Sequence, residues 1–167
     1  GAALNEAAQR YCSLFEDSER RYRLLAENTS DVIWVTDLHL RPVYFSPSVT
    51  RLLGYTVAEV LEGSVETMLT ADSRRRATAA FREVMAAELA RPGARPETGD
   101  LELQFRHKDG SLVWVDATVG LLRDSSGHPV QILGVLHDIS RRKEAEERLQ
   151  HSLGMLERTV ESAIQAI

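Results

Sequence analysis

The chain has 167 residues, 43% of them hydrophobic and 27% charged, with a formal net charge of −5, which describes one globular domain with some additional helix rather than two ordinary domains. An acidic balance with Arg-rich stretches set among carboxylates gives no basic footprint for nucleic acid. A single cysteine, Cys12, excludes an internal disulfide and a cysteine-based metal cluster, and it points to a reducing, cytoplasmic setting. No apolar run approaches a membrane span and no signal peptide opens the chain, so direct membrane contact is not expected. The chain opens on Gly1 and ends at Ile167 inside an apolar-periodic pattern, and is read as a piece of a larger protein.

The first segment places Leu4, Ala8, Tyr11, Phe15, Ser18, Tyr22 and Leu25 at spacings of four and three. That spacing predicts an amphipathic helix over residues 1–28. "DVIWVTD" (Asp31 to Asp37) and "RPVYFS" (Arg41 to Ser46), separated by a polar turn, read as a hairpin. Ser46-Pro47 suits an N-cap with Pro at the first helical position, and Gly54 suits the end of that short helix. Thr56 and Glu59 form a capping box for another. A longer helix is expected from Thr70 or Asp72 until Pro92-Gly93, with Ala77, Phe81, Val84, Met85 and Leu89 toward one side.

Past the loop "ARPGARPETG" the apolar period changes from 3.6 to 2. Leu101, Leu103 and Phe105 alternate with polar residues, Asp109-Gly110 turns the chain, and Val113, Val115, Ala117, Val119 and Leu121 share a face of the next strand. Ser125-Ser126-Gly127 makes another turn, and "PVQILGVLHDI" (Pro129 to Ile139) is a further strand. The order predicts an α+β domain with an antiparallel sheet of about five strands and short helices packed on one face. After Ser140, Leu149, Leu153, Leu156, Val160, Ala163 and Ile167 recur at spacings of four and three. This is a coiled-coil seam, thinned by Ala163 and weakened by Gly154; the competing reading is a helix that packs back on its own domain.

The segments "ERRYRLLAENTSDVIWVTD", "YFSPSVTRLLGYTVAEVLEG", "RHKDGSLVWV", "LLRDSSGHPVQILGVLHDIS" and "RRKEAEERLQ" resemble successive landmarks of a PAS sensory domain. The resemblance implies a five-stranded antiparallel sheet cupped around a small-molecule pocket, with a PAS core over residues 29–139. The flanking helices often dimerise as coiled coils, here 140–167 as a signalling helix. It argues against flavin photochemistry, because Val65 stands where light-sensing relatives carry a reactive cysteine and Leu136 stands near the place of their polar amide. It argues against haem bound as in haem-sensing relatives, whose ligand histidine has no counterpart in Ala71 to Ala90. The cofactor, if there is one, is left open.

By strand alternation and by the same resemblance, Trp34, Thr36, Leu103, Phe105, Val115, Ala117, Ile132, Gly134 and Leu136 point inward, facing Phe81 and Met85. One reading is a solid core without ligand, giving a protein-interaction domain. The other is a cavity for a small, largely apolar ligand with Thr36 as one of few polar anchors. In relatives the Asp-Ile-Ser/Thr junction couples the last strand to the output helix, which assigns signal relay to Asp138, Ile139 and Ser140. Ser140 suits an N-cap, and Arg106, Lys108 and Arg141 are candidate cations for Asp138. Pairs Arg142–Glu146, Lys143–Glu147 and Glu144–Arg148 are expected to offset the cost of cations in a first turn.

The five histidines, His39, His107, His128, His137 and His151, show no metal-ligand spacing, and His151 lacks the flanking residues of a phospho-acceptor. Asp37 and Asp124 occupy turn positions, where aspartate bonds to local backbone. No nucleophile with a base and no phosphate cradle is present, so no catalytic residue and no metal site is assigned and the chain is not read as an enzyme. The expected function is a sensory and dimerisation module: a homodimer through Leu149, Leu153, Leu156 and Val160 that detects a small ligand or partner and drives an effector. "LERTVESAIQAI" resembles the helix leading into HD-GYP cyclic-di-GMP phosphodiesterase domains; diguanylate cyclase and histidine kinase outputs are the alternatives.

Overall fold

The computed structural model describes residues 30–93 and 101–167. The helix expected over 1–28, with its share of any dimer contact, lies outside the described residues. In chain order the elements are β1 (Val32–Asp37), β2 (Pro42–Phe45), α1 (Ser48–Leu53), α2 (Val57–Glu62), α3 (Val65–Met68), α4 (Ala71–Ala90), β3 (Leu101–Arg106), β4 (Leu112–Arg123), β5 (Pro129–Asp138) and α5 (Ser140–Gln165). The strands form one antiparallel sheet in the order β2-β1-β5-β4-β3. The α+β architecture expected from the change of period is the one observed.

Chain reversals follow the turn chemistry. Gly110 and Gly127 take φ values of 92° and 84°, in the left-handed region that makes glycine the fitting residue. Asp37 Oδ1 accepts the N–H groups of His39 and Arg41 at 2.8 and 2.9 Å, and Asp124 Oδ1 accepts those of Ser126 and His128, both at 2.9 Å. The Asp37 carboxyl is held below the usual aspartate range, chiefly by the hydrogen bond from the Arg41 backbone. Thr56 and Glu59 close the expected capping box on α2, and Thr70 caps α4 by accepting from Ser73 N.

Ser46 departs from expectation. Its hydroxyl does not cap α1; it accepts the Ile33 N–H at 2.9 Å and lies 2.7 Å from Ser48 Oγ, which donates to the Asp31 carbonyl at 2.7 Å. Because Ser48 has spent its proton on Asp31, Ser46 must donate to Ser48, and the chain of bonds ties α1 to β1 through two buried hydroxyls.

The core lies between the inner face of the sheet and the helices. Val32, Phe45, Val49, Leu53, Val60, Leu103, Phe105, Val115, Ala117 and Leu136 belong to one buried cluster. The α4 stripe is rotated from the expected one: Val84 is buried and Met85 only half so, while Leu89 is 83% exposed. One reason is at the end of the helix. Glu88 turns inward and receives the Arg123 guanidinium through two bonds of 2.7 and 2.5 Å, fixing the last turn with position 88, not 89, toward the sheet.

Candidate ligand cavity and strand-helix junction

Period-two alternation puts every second residue of a strand on one face, and the observed register shows which of them meet. Trp34 faces Gly134 and Phe45, Thr36 faces Ile132, and Ala117 faces Leu136 and Leu101. These side chains and α4 enclose a cavity of about 760 Å³, within the size range of small-molecule sites. Of the expected residues, Trp34, Thr36, Phe81, Leu103, Phe105, Ala117, Ile132 and Leu136 line it.

Met85 and Val115 are corrections: neither belongs to the lining. Val115 is fully buried in the solid part of the core, and the rotation of α4 brings Val84 to the wall in place of Met85. Leu101, Val119, Ala80 and Ala87 also line the cavity, outside the expected set. Leu101 and Val119 share the strand parity of Leu103 and Ala117, so alternation marks them as inward-pointing candidates. The alanines matter for another reason, since their small side chains leave room between helix and sheet.

The wall is apolar and the mouth is not. His39, Arg41, Glu66 and Glu83 belong to the lining yet are exposed. At the lip, Leu40 holds φ at 64°, an uncommon conformation for a residue with a side chain, pinned by the two bonds to Asp37 and by the Arg41–Asp37 ion pair at 3.0 Å. Deeper, Thr36 is 4% exposed, and its Oγ1 has no hydrogen-bond partner among the described residues. Leaving a buried hydroxyl unpaired costs on the order of 1–3 kcal/mol.

At the far end of β5 the chain enters α5 directly. Asp138 Oδ1 accepts the Ser140 N–H at 2.9 Å, so the capping contact comes from Asp138. Ser140 is the first helical residue, and Ile139 takes the cap position without a side-chain bond, which corrects the expected role of Ser140. Among the described residues Asp138 forms no ion pair with Arg106, Lys108 or Arg141; Lys108 is held by Glu59 at 2.7 Å. Buried Ile139 donates its N–H to the Trp114 carbonyl at 3.0 Å.

The cations of the first turn of α5 find their counter-charge on β3. Arg142 meets Glu102 at 2.5 Å and Glu146 at 3.7 Å. Lys143 bonds Glu102 and lies 4.8 Å from the centre of the Trp114 ring, within cation–π range. Of the three expected pairs, Arg142–Glu146 forms. Lys143 takes Glu102 instead of Glu147, and Arg148 Nε donates to the Glu144 carbonyl rather than to its carboxylate. Glu102 stands on the outer face of β3, within reach of both cations, so one carboxylate takes Arg142 and Lys143 together. Its carboxyl is held below the usual glutamate range, first by the Lys143 hydrogen bond. Farther along α5, Leu149, Leu153, Leu156 and Val160 are between 51% and 64% exposed.

Among the described residues no group of three or more histidines, cysteines or carboxylates is arranged to hold a metal ion, and no helix is long and apolar enough to cross a membrane. The family model described as "PAS domain" matches residues 30–141. Sensor histidine kinase TmoS of Ectopseudomonas mendocina is 29% identical over 132 residues, which is 79% of this chain and 13% of that protein. The non-motile and phage-resistance protein of Caulobacter vibrioides is 28% identical, over 91% of this chain and 18% of its own length. Among solved structures, the sensory box histidine kinase/response regulator of Burkholderia thailandensis E264 superposes with a TM-score of 0.58 at 25% identity, covering 83% of this chain and 98% of that one. The chain thus spans less than a fifth of the length of these two curated relatives.

Proposed function

We infer function from one premise: the chain belongs to the PAS domain family. It is a sensory domain of the kind found in signalling proteins such as histidine kinases, and we propose that it detects a small, largely apolar ligand in the cavity and relays occupancy through α5 to an effector domain of a larger cytoplasmic protein. The observation that carries this reading is the apolar cavity with a single buried, unpartnered hydroxyl, that of Thr36. A solid core would have no reason to place a polar atom there unsatisfied.

Relay is supported by the absence of a spacer between Asp138 and Ser140 and by the contacts that fix the first turn of α5 to β3 and β4. Pairing of two copies through Leu149, Leu153, Leu156 and Val160 is supported by their exposure and their coiled-coil spacing. A histidine kinase output is favoured over the cyclic-di-GMP enzymes by the names of the relatives.

Native mass spectrometry of protein purified from its own host tests ligand sensing. A bound mass that leaves on mild activation is expected, with a higher thermal midpoint in the loaded form. Repeated preparations without any bound mass would support a ligand-free interaction domain instead.

A further inference from the structure

Gly134 stands in the interior of β5, away from any turn, and its φ is not in the left-handed region. Nothing in the backbone asks for glycine there. The side chain that does is Trp34, directly opposite across the β1–β5 pairing, because a Cβ on Gly134 would run into the indole ring. The indole therefore rests on bare backbone of the strand that leads into α5, and Trp34 is at the same time a wall of the cavity, beside Ile132 and Leu136 of that strand.

We propose that Trp34 is the residue through which cavity occupancy acts on β5, and that the ligand it selects is an uncharged planar ring compound with one hydrogen-bonding atom. This rests on the reading of the domain as a ligand sensor. The ring class follows from the aromatic side chains Trp34, Phe45, Phe81 and Phe105 around the cavity, against which a flat ring gains offset or edge-on contact. Absence of charge follows from the exposed position of the ionisable lining residues: an ion buried past them would lack a partner. The single polar atom follows from Thr36, two residues from Trp34 on the same strand face, whose Oγ1 is free to donate or accept. A ring pressed against the indole moves it, and with no side chain at position 134 to absorb the motion, β5 backbone takes it up between Ile132 and Leu136.

The test is NMR on the whole 167-residue chain, titrated with 2-naphthol, naphthalene and decanoate, with the Trp34 indole signal assigned by comparison with Trp114→Phe. With 2-naphthol, the Trp34 indole and the amides of residues 131–143 shift together. Thr36→Val weakens 2-naphthol about threefold to tenfold and leaves naphthalene unchanged. Trp34→Leu still binds 2-naphthol but loses the shifts of residues 138–143. Gly134→Ala, which drives the indole into the cavity, weakens 2-naphthol and shifts residues 138–143 without any probe. Tighter binding of decanoate than of 2-naphthol, or no binding of any probe at millimolar concentration, overturns the ligand class. Unchanged shifts at 138–143 in Trp34→Leu overturn the role of Trp34. Neither result decides whether the domain senses a ligand, which the host-purified mass measurement tests separately.

Discussion

Thr36→Val separates a hydroxyl kept for binding from one kept for folding. In the empty domain the Thr36 side chain is 4% exposed and its Oγ1 unpaired, so folding strips it of water without a replacement bond. The penalty for such a group is about 1–3 kcal/mol. Valine keeps the branched shape, removes the polar atom and suits a strand, so the substitution is expected to stabilise the ligand-free domain by about 1 kcal/mol, part of the penalty being lost to imperfect repacking. With a urea slope of roughly 1–3 kcal/mol per molar, that is a rise in midpoint of about 0.3–1 M. Thr118→Val controls for strand propensity: Thr118 is exposed on the outer face of β4, opposite Val135, and its replacement stays within about 0.5 kcal/mol. Most stability substitutions lower both stability and binding; here the signs oppose, the variant being more stable and a poorer binder. A loss of 1 kcal/mol or more in the empty domain would mean that the folded state satisfies the hydroxyl, and the anchor argument would fail with it.

At the junction, Asp138→Ala removes the contact to Ser140 N and is expected to cost about 1 kcal/mol and to speed amide exchange over residues 140–144, whereas Asp138→Asn, whose amide oxygen can still accept, keeps both near wild type. Equal exchange in the Ala variant would refute the capping role. Glu102→Gln loosens the grip on Arg142 and Lys143 at a cost of no more than about 1 kcal/mol, as for other half-exposed ion pairs. Because the folded Glu102 carboxyl titrates below its ordinary 4.5, its stabilisation is complete above that value and is lost as pH falls through the lower folded one. Protection of α5 amides at 140–146 should therefore drop in acid in the wild type, and an identical drop in Glu102→Gln would assign it to other groups. Leu153→Asp places a charge in the proposed seam; sedimentation at high micromolar concentration should change from dimer to monomer, and an unaltered profile would rule the seam out.

Local chemistry made most of the fold readable. The Thr56–Glu59 box, the glycines at 110 and 127 and the strand alternation each act within a few residues, so one stretch of sequence holds both cause and effect. Glu102 shows where this ends. Alternation marks it as an outward polar residue, but its partners lie about forty positions away on a helix whose docking depends on where β3 and β4 finish. The cavity is hidden for a different reason. Alternation says which side chains point inward, not whether the space between them is filled; Val115 and Leu103 point the same way, and only Leu103 reaches the opening. Val84 lines the cavity one position from the expected Met85 because the phase of α4 is fixed by Glu88, whose distant partner Arg123 is not visible in a helical stripe.

The expected cation for Asp138 and the cap actually found there lead to different views of coupling. An ion pair across the junction would break and reform with charge. A cap, a backbone bond from Ile139 to Trp114 and a carboxylate clasp on Glu102 form a mechanical seat instead, with two of its three ties on β3 and β4 rather than on β5. Past Lys143, α5 is almost wholly exposed; its 26 residues run for about 39 Å at 1.5 Å each. If β5 slides against β4, the capped end of α5 moves with β5 while its cations stay with β3 and β4, and the helix must tilt. A tilt of roughly 5° at the seat displaces the far end of a helix of that length by about 3 Å. That would be a large step for the proposed seam of leucines, and it makes the rigidity of the first turn, not the charge of Asp138, the property on which the proposed relay would depend.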